Sequence, residues 1–174
     1  MTSMKTWIVS LLVPFFIAGC ESGGGRQYRD DLIAMIERSD RIVVTEHSSE
    51  LDAYDFESKT PVLPEKVVYG TRELSPAQRQ SFLQTIEDLD PTTQDTFSGC
   101  VPAVHHTVEF YSRGARISEM QICFECEQVI WPATRATPPA ALYAGLASFI
   151  KGIGLEPQRD WEALARVRRP GSPR

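Results

Sequence analysis

The sequence predicts an α+β fold, an antiparallel sheet of about four strands with three helices packed mainly on one face. Three observations predict it. Apolar residues recur at helical spacing in three separated stretches, β-branched or alternating runs lie between them, and Arg113 and Gly114 stand between two alternating runs as a hairpin turn. The resulting order, α β β α β β α, suits helices layered on an antiparallel sheet.

The first helix is read from Tyr28, Leu32, Met35 and Ile36, with Asp30 and Asp31 in its first turn, where the helix dipole favours negative charge. Residues 42–45 are β-branched and read as a strand, and residues 66–70 as another. The polar segment 48–64, broken by Pro61 and Pro64, reads as a loop with His47 at its edge, a solvated residue unless the strands run alongside and recruit it to the site. The second helix has the clearest start: Ser75 caps it, Pro76 takes its first position and Gln78 completes a capping box. Phe82, Leu83, Ile86 and Leu89 form its buried stripe, and Asp90 and Pro91 stop it. Residues 104–112 and 115–124 form the hairpin, and residues 129–131 prolong its second strand to Pro132. Thr137 and Pro138 open the third helix, which turns Leu142, Leu146, Phe149, Ile150 and Ile153 inward and ends at the glycines 152 and 154.

Residues 1–20 carry Lys5 and an apolar run from Trp7 to Ala18 that ends in small residues at Cys20. The run is shorter than the roughly 20 apolar residues of a membrane span and has the grammar of a secretion signal. Ile17, Ala18, Gly19 and Cys20 resemble the lipobox of bacterial lipoproteins. That resemblance implies removal of residues 1–19, a diacylglycerol on Cys20 and, because Glu21 rather than aspartate follows, anchoring in the outer membrane, facing the periplasm. The expected organisation is a signal peptide over 1–19, lipidated Cys20 and a glycine-rich flexible tether over 20–26, one domain over 27–155, and a flexible tail over 156–174. Losing Lys5 leaves 17 basic and 23 acidic residues, a net charge of −6, which argues against a nucleic-acid partner.

Residues 100–126 gather three of the four cysteines and two of the three histidines. A two-residue hairpin loop pairs Ser112 with Ala115, Val104 with Cys123 and Val101 with Cys126, which brings Cys100, Cys123 and Cys126 to the open end of the hairpin. In that register His106 shares a face with Cys123, and His105 points to the other side; a bulge exchanges the two. Cys123 and Cys126 lie about 10 Å apart in a continuous strand, so a knuckle is expected at Phe124 and Glu125.

Three chemistries fit this inventory. Cys100, Cys123, Cys126 and either His105 or His106 supply the ligands of a tetrahedral zinc site, structural or sensory. An oxidising compartment allows a disulfide with one free thiol, or a redox-active Cys123 and Cys126 pair. Buried cysteines also pack as small hydrophobes. Glu127 replaces the histidine that covalent haem attachment needs, and the helix-opening thioredoxin arrangement is absent. No Ser, His and Asp arrangement, phosphate-cradling glycine loop or H-E-x-x-H motif is present, and Glu109, Glu119 and Glu125 read as solvated strand residues. The expectation leans away from an enzyme. A non-enzymatic adaptor, with a disulfide that staples the hairpin and a protein partner, is the remaining alternative.

Cys100, Pro102 and His105, followed by Ile122, Cys123, Phe124 and Cys126, resemble a family of bacterial secreted proteins and lipoproteins. Its members carry a cysteine, proline and histidine box before one strand and an I-C-F-x-C box ending the next. The resemblance spans roughly residues 100–155. It implies that Cys100, His105, Cys123 and Cys126 are grouped, and it implies no particular activity. It favours His105, whereas hairpin parity favours His106.

Overall fold

The computed structural model describes residues 23–55, 60–61 and 66–167. The expected signal peptide, Cys20 and the last residues of the expected tail, 168–174, lie outside them. The chain runs through α1 (Gly24–Arg38), β1 (Arg41–His47), a 3-10 turn (Glu50–Ala53), the two-residue strands β2 (Tyr54–Asp55) and β3 (Thr60–Pro61), and β4 (Val68–Glu73). It continues with α2 (Pro76–Glu87), β5 (His106–Ser112), β6 (Ala115–Cys123), β7 (Gln128–Ile130), α3 (Leu142–Gly152) and α4 (Trp161–Val167). The α+β class is as expected, but the main sheet has five strands, in the order β4-β1-β5-β6-β7, all antiparallel. The fifth arises because residues 128–130 do not prolong β6. A turn over 124–127, with Glu127 at φ 47°, folds them back beside it.

One face of the sheet presents Ile42 and Val44, Val108 and Phe110, and Met120 and Ile122 to a single core. Against them pack Leu32, Met35 and Ile36 of α1, Phe82 and Ile86 of α2, and Leu146, Phe149 and Ile150 of α3. Phe82 and Phe149 stack at 4.6 Å between ring centres. The start of α2 is as read from sequence: Ser75 accepts from the Gln78 amide, and the Gln78 side chain accepts from the Ser75 amide.

Two helix starts differ from expectation. α1 begins inside the expected glycine tether, so Asp30 and Asp31 fall past its first turn. The glycines serve close approach here: a Cβ on Gly25 would stand 2.2 Å from the Pro91 carbonyl oxygen, and the Gly25 amide donates to Thr93 Oγ1 at 2.8 Å. α3 starts at Leu142, not at Pro138. Pro139 disfavours helical geometry at the residue before it, and the segment instead bridges residues 92–94, with the Gln94 amide donating to the Pro138 carbonyl and Thr93 paired with Pro139.

The hairpin turn is Arg113-Gly114, both at positive φ (53° and 79°), as a two-residue turn of this hand requires. Ser112 pairs with Ala115 and Tyr111 with Arg116, but Phe110 pairs with Ser118, leaving Ile117 as a bulge. The bulge has a clear cause. Without it Glu119 and Gln121 would lie opposite Val108 and His106 on the core face; with it Met120 and Ile122 do.

Candidate functional site

The bulge decides where the histidines go. It sets His106 opposite Ile122 rather than diagonal to Cys123, so the parity expected for His106 is corrected. His105, the residue just before β5, lies on the alternate side, and His47 ends β1 beside it, its amide donating to the His105 carbonyl at 2.9 Å. All three histidines of the chain therefore gather at one end of β1 and β5.

Each is buried, and each ring has a defined role. His47, expected as a solvated loop residue, is only 2% exposed. Its Nδ1 lies 2.9 Å from the Ser48 carbonyl and so carries the proton, leaving Nε2 to accept from Thr107 Oγ1 at 2.8 Å. The His105 Nε2–H donates to Asp52 Oδ1 at 2.6 Å. The His106 Nε2–H donates to the Glu156 carbonyl at 3.0 Å, while its Nδ1 is buried without a hydrogen-bond partner among the described residues. Burial pushes the His47 pKa down to about 4, partly opposed by its bond to the Ser48 carbonyl. The His106 pKa also falls to about 4, again first through burial, partly opposed by its bond to the Glu156 carbonyl. Both rings are neutral at pH 7.

The C-terminal segment closes this cluster. Trp161 of α4 stacks on His105 at 4.1 Å with 5° between the ring planes, stands edge-on to His106, and stacks on Tyr69 from β4. Glu46 of β1, fully buried, pairs with the Arg159 guanidinium and accepts from the Glu156 amide at 3.2 Å. Ala165 packs on Ala53 of the 3-10 turn. The expected tail is thus revised for residues 156–167, which carry a helix bound to the sheet end. Sequence reading missed Glu46, Asp52, Arg159 and Trp161. The available signal was a tryptophan in a supposed tail, since so large an apolar surface is seldom left wholly in water.

The cysteines lie at the same open end of the hairpin, where His106 stands edge-on to Phe124, the residue after Cys123. Cys100 and Cys126 form a disulfide across a Cα separation of 6.0 Å, in the ordinary range for such bonds. Cys123 is a free, buried thiol whose sulfur accepts from the Cys126 amide at 3.4 Å. The expected knuckle between Cys123 and Cys126 is the 124–127 turn. His105 and His106 give their polar contacts to Asp52 and Glu156. Among the described residues, no group of three or more His, Cys, Asp and Glu side chains is placed to hold a metal ion. Glu109 and Glu119 share the Arg116 guanidinium, each at 2.6 Å, on the exposed part of the hairpin.

The bridge also shapes a cleft of about 510 Å³ between these two clusters, lined by His47, Ser48, Lys66, Pro102, Val104, Gln121 and Ile130 among others. Pro102, two residues past the bridged Cys100, forms one wall. Gln121 of β6 and Ile130 of β7 line it beside Pro102, and Lys66 and Glu50 supply one charge of each sign. Its lining mixes the apolar Leu51, Pro102, Val104 and Ile130 with the polar Ser48, Ser49 and Gln121 and the ionisable His47, Glu50 and Lys66, so the cleft is amphipathic. No described helix is long and apolar enough to cross a membrane. Comparison with family models, with curated proteins and with solved structures finds no match.

Proposed function

We propose that this protein is a lipid-anchored, periplasm-facing binding module, an adaptor rather than an enzyme, that takes an amphipathic ligand in the cleft between Lys66, Pro102, Gln121 and Ile130. The observation that carries the reading is the Cys100–Cys126 bridge, which pins the Pro102 wall of that cleft to the β6–β7 turn. A bridge of this kind suits an oxidising compartment outside the inner membrane. The lipobox-like residues 17–20 support export and a lipid on Cys20, with the outer membrane favoured by Glu21. Peptide mapping of the periplasmic 21–174 chain is expected to find Cys100 joined to Cys126 and Cys123 free. The amphipathic anion anilinonaphthalene sulfonate is expected to bind the native protein, and Gln121→Trp, which fills the cleft, to weaken that binding about tenfold. Unchanged binding would remove the cleft from the proposal.

A second reading is zinc held by the thiols. It is supported by the residues lying at one end of the hairpin, with Cys100 and Cys126 6.0 Å apart at Cα and the Cys126 amide donating to the Cys123 sulfur, and it requires the bridge to be reduced. About one equivalent of zinc on the native protein with three free thiols would replace the adaptor reading with this one. A Cys123–Cys126 bridge in the same map would favour thiol exchange instead.

A further inference from the structure

Residues 95–101 form a continuous exposed stretch, and within it Phe97 is 57% and Val101 74% exposed. Apolar side chains in a protruding loop lose the stabilisation of burial unless something covers them. This loop is nevertheless held in place. Cys100, between the two apolar residues, is bridged to Cys126, and the Gln128 side-chain amide donates to the Ser98 carbonyl at 2.9 Å and to the Cys100 carbonyl at 3.4 Å. A covalent bond and a two-carbonyl brace thus present Phe97 and Val101 in a fixed place.

The base of the loop adjoins the start of the domain. Gly24 lies against Thr93 and Thr137, and the Gly25 amide donates to Thr93 Oγ1, four residues before Phe97. Cys20 is three residues before Gly23, and three residues reach at most about 10 Å. If Cys20 bears the lipid, this end of the domain is the end next to the bilayer. Two exposed cations stand there: Arg26, two residues after Gly24, and Arg135, two residues before Thr137. Asp95 on the loop itself, Asp31, which accepts from Thr134 beside Arg135, and Asp90, which accepts from Thr92, are the opposing charges at this end. Apolar loop residues flanked by arginines fit the boundary between acyl chains and anionic headgroups.

We propose that the 95–101 loop is a membrane-contact element: Phe97 and Val101 enter the interface of the bilayer that holds the Cys20 lipid, with Arg26 and Arg135 on its headgroups. The proposal rests on the lipid-anchor reading. Its consequence is a fixed orientation, with the disulfide serving to present the loop.

The test uses the full chain, processed in cells and reconstituted into vesicles of phosphatidylethanolamine and phosphatidylglycerol with brominated acyl chains. Phe97→Trp and, separately, Val101→Trp add an indole at the loop, read against the emission of the unsubstituted protein. The expected result is blue-shifted added emission, quenched by the brominated lipid and shielded from aqueous iodide. A mature mass lacking diacylglycerol overturns the lipid anchor and this proposal with it. A lipidated protein whose added indoles escape the brominated lipid and meet iodide overturns the membrane contact alone. Added indoles that escape the lipid in vesicles but are shielded from iodide in intact cells overturn it too, and assign the loop to a protein partner.

Discussion

The two clusters at the open end of the hairpin are built from neighbouring residues and held by opposite means. At the histidine end, three rings and two carboxylates are buried, covered by the half-buried Trp161 and the partly exposed Arg159, and joined by hydrogen bonds that span 50 to 113 residues of chain. At the cysteine end, a covalent bond fixes a loop that is otherwise exposed. Noncovalent closure requires burial, because a polar contact is strong only away from water; a disulfide keeps its effect in full solvent exposure. The difference explains how apolar side chains can be displayed at one end while ionisable ones are hidden at the other. It also makes the ends separable: acid acts on one and reductant on the other.

The largest expected effect is that of acid. His47 and His106 have folded pKa values of about 4, below the ordinary 6.5, so the unfolded chain binds more protons between those values. Their neutral burial therefore contributes its full stability above pH 6.5, and that contribution is lost as pH falls toward 4. The loss is on the order of 3 kcal/mol for each ring. Urea unfolding at pH 7 and pH 4.5 measures it, and mapping at both values should find the Cys100–Cys126 bridge unchanged. A midpoint indifferent to pH across this range would erase the contrast.

Next comes Arg159→Ala, which leaves the Glu46 carboxylate buried without its guanidinium. Breaking such a pair costs about 3 kcal/mol, taken at the low end because Arg159 is partly exposed. Hydrogen exchange should rise across α4 and in the 3-10 turn and stay low at 124–127. Reduction of the bridge, or Cys100→Ser with Cys126→Ser, should cost about 2 to 3 kcal/mol by freeing a loop that the native bond closes over 26 residues. Its exchange signature is the converse, confined to 95–101 and the turn after β6. Equal protection loss at the histidines would show that the ends are one cooperative unit. The smallest effect is Ser75→Ala at the cap of α2, outside both clusters. It should cost about 1 kcal/mol with no change in either the acid or the reductant response.

Much of this architecture was legible locally. The capping box of α2, the inward residues of α3 and the Arg113-Gly114 turn each depend on side chains a few residues apart, so periodicity and turn chemistry suffice. The fifth strand was missed because Val129, Ile130 and Trp131 are a short apolar run, equally able to extend β6 or to return beside it. The bulge at Ile117 was legible in principle, since a two-residue turn with straight strands sends Glu119 and Gln121 into the core. Reading register from the turn alone, without checking which residues it buries, placed His106 beside Cys123.

By itself the sequence determined the class of the fold, the start of α2, the hairpin turn and the meeting of the cysteines at the hairpin's open end, because each follows from interactions close along the chain. Only the tertiary structure decided that Cys100 rather than Cys123 joins Cys126, that His47 turns inward to stand beside His105, and that residues 156–167 return across the chain to close over the histidines. Those outcomes depend on which surfaces are left to bury after the sheet has formed, and Glu46 and Arg159, 113 residues apart, have no local pattern that announces their pairing.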